Sequence, residues 1–119
     1  MKGLRLYVRP IEASDQPQLA RFLDTNAPPA CGLLGKLLGD LVAVVALEIA
    51  PDALRVRDIF VAQELRKKRI GRVMMREVEQ LAAKLEQRRI IVDDARGAHE
   101  FFRRVGFESE GDRWVRVVA

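Results

Sequence analysis

Between Leu54 and Gln87 the spacing of apolar residues changes period, and the change brackets a basic turn. Leu54-Arg55-Val56-Arg57-Asp58-Ile59-Phe60-Val61 reads as a strand. From Ile70 to about Gln87, the residues Ile70, Val73, Met74, Val78, Leu81, Ala82 and Leu85 recur at helical spacing. Between the two stands Arg66-Lys67-Lys68-Arg69-Ile70-Gly71-Arg72. A helix N-terminus offers unpaired backbone N–H groups and the positive end of its dipole, so a basic, glycine-containing turn at that point suits phosphate. The expected ligand is a small molecule bearing a diphosphate.

Charge supports a discrete anion over a broad surface. Leu65 to Arg76 holds six basic residues and no acid, more than the whole chain's net +4, so the remainder is net negative. A local positive patch favours a compact anionic ligand over a nucleic acid, and no aromatic residues are interleaved with the charge for base stacking. One cysteine and one histidine make a disulfide or a structural zinc cluster an unsuitable reading. The Met1-Lys2-Gly3-Leu4-Arg5 start has no long apolar core of a signal peptide, and Leu41 to Leu47 is too short to span a bilayer. No metal, no membrane and a cytoplasmic location are therefore expected. At 119 residues the chain should form one domain, residues 1–119.

The elements alternate along the chain. Leu4, Leu6 and Val8 alternate with Arg5, Tyr7 and Arg9 in a strand that Pro10 stops. Ser14-Asp15 offers an N-cap to a short helix with Leu19, Ala20, Phe22 and Leu23 on one side, ended at Asn26-Ala27-Pro28-Pro29. Leu33 to Leu38 and Leu41 to Leu47 flank Gly39-Asp40 as a hairpin with a two-residue turn. Its second strand is apolar throughout, as in the middle of a covered sheet. After the long helix, Arg89 to Asp93 is a buried strand reached by a parallel crossover. Ala98 to Val105 is a helix with Phe101, Phe102 and Val105 inward, stopped by Gly106. Phe107 to Glu110 and Arg113 to Val118 close the chain as a hairpin around Gly111-Asp112.

This β-α-β-β-β-α-β-α-β-β order, the Arg9-Pro10-Ile11…Asp15 opening, the Arg66-x-x-Arg69-Ile70-Gly71-Arg72 turn and the Phe102-x-x-x-Gly106-Phe107 ending resemble the GNAT family of N-acetyltransferases over nearly the whole chain. The resemblance implies a mixed α/β fold with a mostly antiparallel central sheet and helices on both faces. It implies a V-shaped splay between the strand ending near Val61 and the strand Arg89–Asp93. Acetyl-coenzyme A, as cosubstrate, would lie in that splay with its diphosphate on the basic turn. Phe60, Val61, Arg66, Lys67, Lys68, Arg69, Ile70, Gly71, Arg72 and Phe102 would line its site, with backbone N–H near Val61 on the thioester carbonyl. The acetyl group would pass to a primary amine by direct attack. Gly71 stands where backbone meets phosphate; Arg69 replaces the pattern's second glycine. An arginine there implies right-handed or extended backbone, with a side chain free to fold over the diphosphate or the 3′-phosphate.

The acid–base positions depart from the pattern. The family often places a glutamate at the position of Arg55, leaving Asp58 as the candidate base and Glu48 as a further nearby carboxylate. A tyrosine acid would stand at Phe102, which has no proton to give, and the accompanying asparagine at Ala95. Losing a general acid costs about 10²–10⁴ in rate. His99 reads as a surface histidine, Cys31 as a small buried residue, Trp114 as packing, and Arg103 and Arg104 as solvated, with one in reach of a phosphate. Two functions stand: an acetyl-coenzyme A-dependent N-acetyltransferase, or a catalytically weak coenzyme A binder acting on a protein partner. The short Asp24–Ala30 connection leaves little material for a lid. It suits a protein or peptide amine, or an acceptor site completed by a second copy in a homodimer, where a pocket for a small-molecule amine could also form.

Overall fold

The structure is a computed structural model that describes residues 5–66 and 69–118. Leu4, Lys67 and Lys68, named above, lie outside the described residues. Seven strands form one sheet in the order β1-β2-β3-β4-β5-β7-β6. They are β1 (Tyr7–Pro10), β2 (Gly32–Leu37), β3 (Asp40–Ile49), β4 (Leu54–Val61), β5 (Arg89–Val92), β6 (Glu108–Glu110) and β7 (Arg113–Val117). The helices are α1 (Gln16–Leu23), α2 (Ile70–Lys84) and α3 (His99–Arg104). β4 and β5 run parallel, as the intervening α2 requires, and the other neighbouring strands are antiparallel.

The opening motif has a structural explanation. Arg9 donates both guanidinium nitrogens to the Asp15 carboxylate at 2.7 Å, and Asp15 also accepts the Glu12 N–H at 2.7 Å. Asp15 thus faces back toward β1 across a single 3₁₀ turn (Ala13–Asp15) and makes no side-chain cap bond to α1, contrary to its expected role. The Arg9 hydrogen bond holds the Asp15 carboxyl at about 2, below its ordinary 3.8.

Period and burial agree in α2, where Ile70, Met74, Met75, Val78 and Ala82 are buried. They pack in one core with Leu33, Val45, Val56, Ile90, Phe102 and Phe107. On the other side of the sheet the cross-strand partners Leu34 and Val44 are fully buried, as is Leu19 of α1. β3 is apolar because it lies inside this sandwich. The helix ends at Lys84, short of Gln87, where Glu86 takes φ 58° and the Gln87 N–H returns to the Ala82 carbonyl. The hairpin turn sits one residue earlier than expected. Leu38 and Gly39 (φ 53° and 87°) form it, and Asp40 pairs with Leu37. A register shift after Gly35, which leaves Val42 without a partner in β2, moves the turn.

Candidate functional site

The sheet splays where β4 outlasts its parallel partner. Leu54, Arg55 and Val56 pair with Ile90, Ile91 and Val92, and β4 then continues from Arg57 to Val61 without β5 beside it. A bulge marks the point of departure. Asp58 pairs with Ala46 and Val56 with Leu47, so Arg57 is the extra residue, and bulges bend a strand away from its neighbours. Beyond the bulge the amides facing the splay lack strand partners. The Ile59 N–H is met by Asp58 Oδ1 at 3.0 Å. The Ala62 N–H donates to Val42 at 2.8 Å. Because amides alternate along a strand, the Val61 N–H points the other way, into the splay.

A cleft of about 840 Å³ fills the space between β4, the start of α2, and α3. Ile59, Phe60, Val61, Leu65, Ile70, Ala98, Phe101 and Val105 form apolar walls, with Gly71 between them. Arg66, Arg69, Arg72 and Arg104 supply the charge. Among the described residues none of these four arginines lies within 4.0 Å of a carboxylate, whereas Arg9, Arg55, Arg57, Arg89, Arg96, Arg103, Arg113 and Arg116 all do. Cations gathered round an apolar-walled cleft, with no acid beside them among the described residues, fit an anion attached to an apolar arm.

Phe60, Val61, Arg66, Arg69, Ile70, Gly71 and Arg72 are therefore brought together as the sequence suggested. Phe102 is not. It is 2% exposed and packs edge-on against Phe107 (5.4 Å) in the main core. Its neighbour Phe101 faces the cleft instead, on the same side of α3 as Ala98, Arg104 and Val105. A helical face recurs at three and four residues, so the side chain one residue on turns into the core.

Arg69 and Gly71 exchange the roles expected of them. Arg69 is the N-cap of α2 at φ 66°, ψ 11°, a left-handed conformation that costs a non-glycine residue about 1 kcal/mol. The expectation of ordinary backbone there is corrected. Gly71 has no positive φ; a Cβ on it would stand 3.0 Å from Phe101 Cε1. Its missing side chain lets α2 and α3 meet, and so sets the width of the cleft.

The acid–base candidates are engaged elsewhere. Asp58 is outside the cleft wall, with Oδ1 on its neighbour's amide and Oδ2 held by Arg96 at 3.0 Å. Arg55 Nη1 donates to both Asp93 carboxylate oxygens at 3.0 Å, and Arg57 pairs with Glu48 at 3.3 Å. His99 is exposed and lies 5.8 Å from the Trp114 ring. Arg103 pairs with Glu100 and stands over Trp114 at 5.5 Å, while Arg104 reaches the cleft. Cys31, expected buried, is exposed. Among the described residues no helix is long and apolar enough to cross a membrane.

A splayed sheet with an apolar, arginine-rimmed cleft at a helix N-terminus is a geometry suited to an anionic, arm-bearing small molecule. The family model for the Acetyltransferase (GNAT) family matches residues 4–107, and the chain belongs to that family. Solved structures share the fold at low identity. A GNAT-family chain from Desulfovibrio desulfuricans superimposes with a TM-score of 0.81 at 13% identity, covering 97% of this chain and 100% of that one. N-acetylglutamate synthase from Neisseria gonorrhoeae, complexed with coenzyme A and N-acetylglutamate, gives 0.81 at 14% identity over 97% of this chain and 35% of its own. The IAA acetyltransferase of Bacillus cereus gives 0.71 at 17% identity over 95% and 99%. No curated protein matches the chain.

Proposed function

We propose that this protein transfers an acetyl group from acetyl-coenzyme A to a primary amine by direct attack within a ternary complex. The observation that carries the reading is the set of four arginines around one apolar-walled cleft that have no carboxylate partner among the described residues. Family membership points the same way. Arg66, Arg69 and Arg72, with the first N–H groups of α2, would hold the diphosphate. Lys67 and Lys68 belong to the same turn in sequence. Phe60, Ile70 and Phe101 would pack the apolar arm, and the Val61 N–H would donate to the thioester carbonyl. Bound acetyl-coenzyme A supplies the activated acetyl group and a thiolate leaving group, so proton transfer to the leaving sulfur is not essential.

Asp58 is the proposed base. It would take the amine's proton on a remaining lone pair, with Oδ1 accepting from the Ile59 N–H and Oδ2 paired with Arg96. That engagement, with Arg55 and Phe102 in place of the usual acid and tyrosine, favours a second reading: a coenzyme A binder of low activity acting on a protein partner. The acceptor would be a protein or peptide amine, or one bound with help from a second copy. The experiment has two stages. Acetyl-coenzyme A should raise the melting temperature, since a ligand held only by the folded state adds about 2.7 kcal/mol at 100 times its Kd. Release of free thiol with a panel of amines then marks an enzyme. Stabilisation without release marks the binder, and no stabilisation removes both.

A further inference from the structure

A second cavity, of about 360 Å³, opens beside the first at the end of β4. Phe60, Val61 and Arg66 line both, so the two spaces meet at the strand end where the proposed reading puts the thioester. The remaining walls come from Phe22 and Leu23 at the end of α1 and from the 3₁₀ turn Gln63–Leu65. Hydrogen bonds fix that turn. The Ala62 N–H donates to the Val42 carbonyl at 2.8 Å, and the Leu65 N–H to the Ala62 carbonyl at 2.9 Å. Glu64 is thereby held on the cavity wall, open to water. It is the one acid among the described residues that line either cavity. Arg66 is the opposing charge. In the proposed complex the diphosphate neutralises it, which leaves Glu64 to set the sign of the second cavity.

We propose that the second cavity takes the acceptor and that Glu64 selects acceptors with two amino groups. One reacts beside Val61 while the other, protonated, meets the carboxylate. The proposal rests on the acetyl-transfer reading and deepens it by naming the acceptor class: an amine whose short carbon chain carries a second positive charge. An aliphatic ammonium has a pKa near ~10.4, so the far group is charged at neutral pH. The carbon chain can lie along Leu23 and Phe60 with its charged end in water beside Glu64, as long cationic side chains do on apolar surfaces. A monoamine covers the apolar side alone and forgoes the charge pair.

The test compares diaminopentane with aminopentanol, which has the same chain and a neutral end, in thiol release from acetyl-coenzyme A by the full chain. Per amino group, wild type should prefer the diamine about five-fold in kcat/KM, the size of one solvent-exposed charge pair, with the difference in KM. Glu64→Gln should remove the preference with acetyl-coenzyme A affinity unchanged, and Glu64→Lys should reverse it. A second readout needs no turnover. On protein saturated with coenzyme A, diaminopentane should raise the melting temperature more than aminopentanol does, and Glu64→Gln should erase that difference. A preference that is missing in wild type, or that survives Glu64→Gln, overturns the proposal. So does a Glu64→Gln variant with kcat lowered equally for both amines and KM kept, which would make Glu64 a proton acceptor instead. Thiol release from both amines at equal rates sinks this proposal and spares the transfer reading; no release and no amine-dependent melting shift sinks both.

Discussion

Arginines stand on both sides of the splay, in opposite states. Arg66, Arg69, Arg72 and Arg104 surround the cleft without carboxylate partners among the described residues. Arg55, Arg57 and Arg96 lie beside β4 and β5, and each is tied to an acid: Asp93, Glu48 and Asp58. Leu54 and Val56 join the core with α2, so Arg55 between them points to the other face of the sheet. Pairing separates two tasks for one residue type. The tied arginines brace the strands where their ladder ends; the cleft arginines are, on the proposed reading, held for an anion.

The largest effect on the cleft should come from closing it. Gly71→Val puts a side chain into the Phe101 ring, and overpacking of this kind costs about 1–3 kcal/mol. Stabilisation by acetyl-coenzyme A should disappear; retained affinity would mean that the Gly71–Phe101 contact does not set the cleft. A change of similar size that leaves the cleft alone is Asp15→Ala. It strands the part-buried Arg9 and should cost about 3 kcal/mol in denaturant unfolding, with acetyl-coenzyme A affinity unchanged.

The Asp15 pair also has a pH signature. Its carboxyl is depressed in the folded state, so its stabilisation is fully present above 3.8 and is lost as pH falls toward about 2. Asp15→Ala should flatten the stability profile in that window, and an unchanged profile would deny the pairing.

The direct comparison sets Arg66→Gln against Arg55→Gln. The first should weaken acetyl-coenzyme A about tenfold with little loss of stability, since among the described residues Arg66 has no carboxylate partner and only a long 3.5 Å contact to the Val61 carbonyl. The second should leave affinity unaltered and lower stability by about 1 kcal/mol, since the Asp93 carboxylate left behind is 44% exposed and water can meet it. Reversed outcomes would break the distinction between tied and untied arginines. Smallest of all, Glu48→Gln should change stability by less than about 0.5 kcal/mol, because both members of that pair are more than half exposed.

Periodicity made the elements and their order legible, and the basic turn with its following helix made most of the cleft legible. What escaped depends on three-dimensional register. Phe101 and Phe102 are equivalent in composition, and only the rotation of α3 decides which meets the core. Gly71 reads as a phosphate-contacting glycine until Phe101, thirty residues on, is seen to need its space. The hairpin turn moved because a bulge between Gly35 and Lys36 leaves no trace in an apolar run. Arg104 had no motif to mark it, and the pairing of Arg55 and Asp93 joins strands far apart in sequence. Backbone strain at Arg69 is likewise invisible in its letter, although the departure from glycine was visible.

The central claim is that the untied arginines hold a phosphorylated cosubstrate, and its most direct test is the affinity of wild type and Arg66→Gln for acetyl-coenzyme A at low and physiological salt. Wild type should bind saturably and more weakly as salt rises, with a weaker affinity and a shallower salt dependence in the variant. Binding that is absent, or that is indifferent to both salt and Arg66, would contradict it.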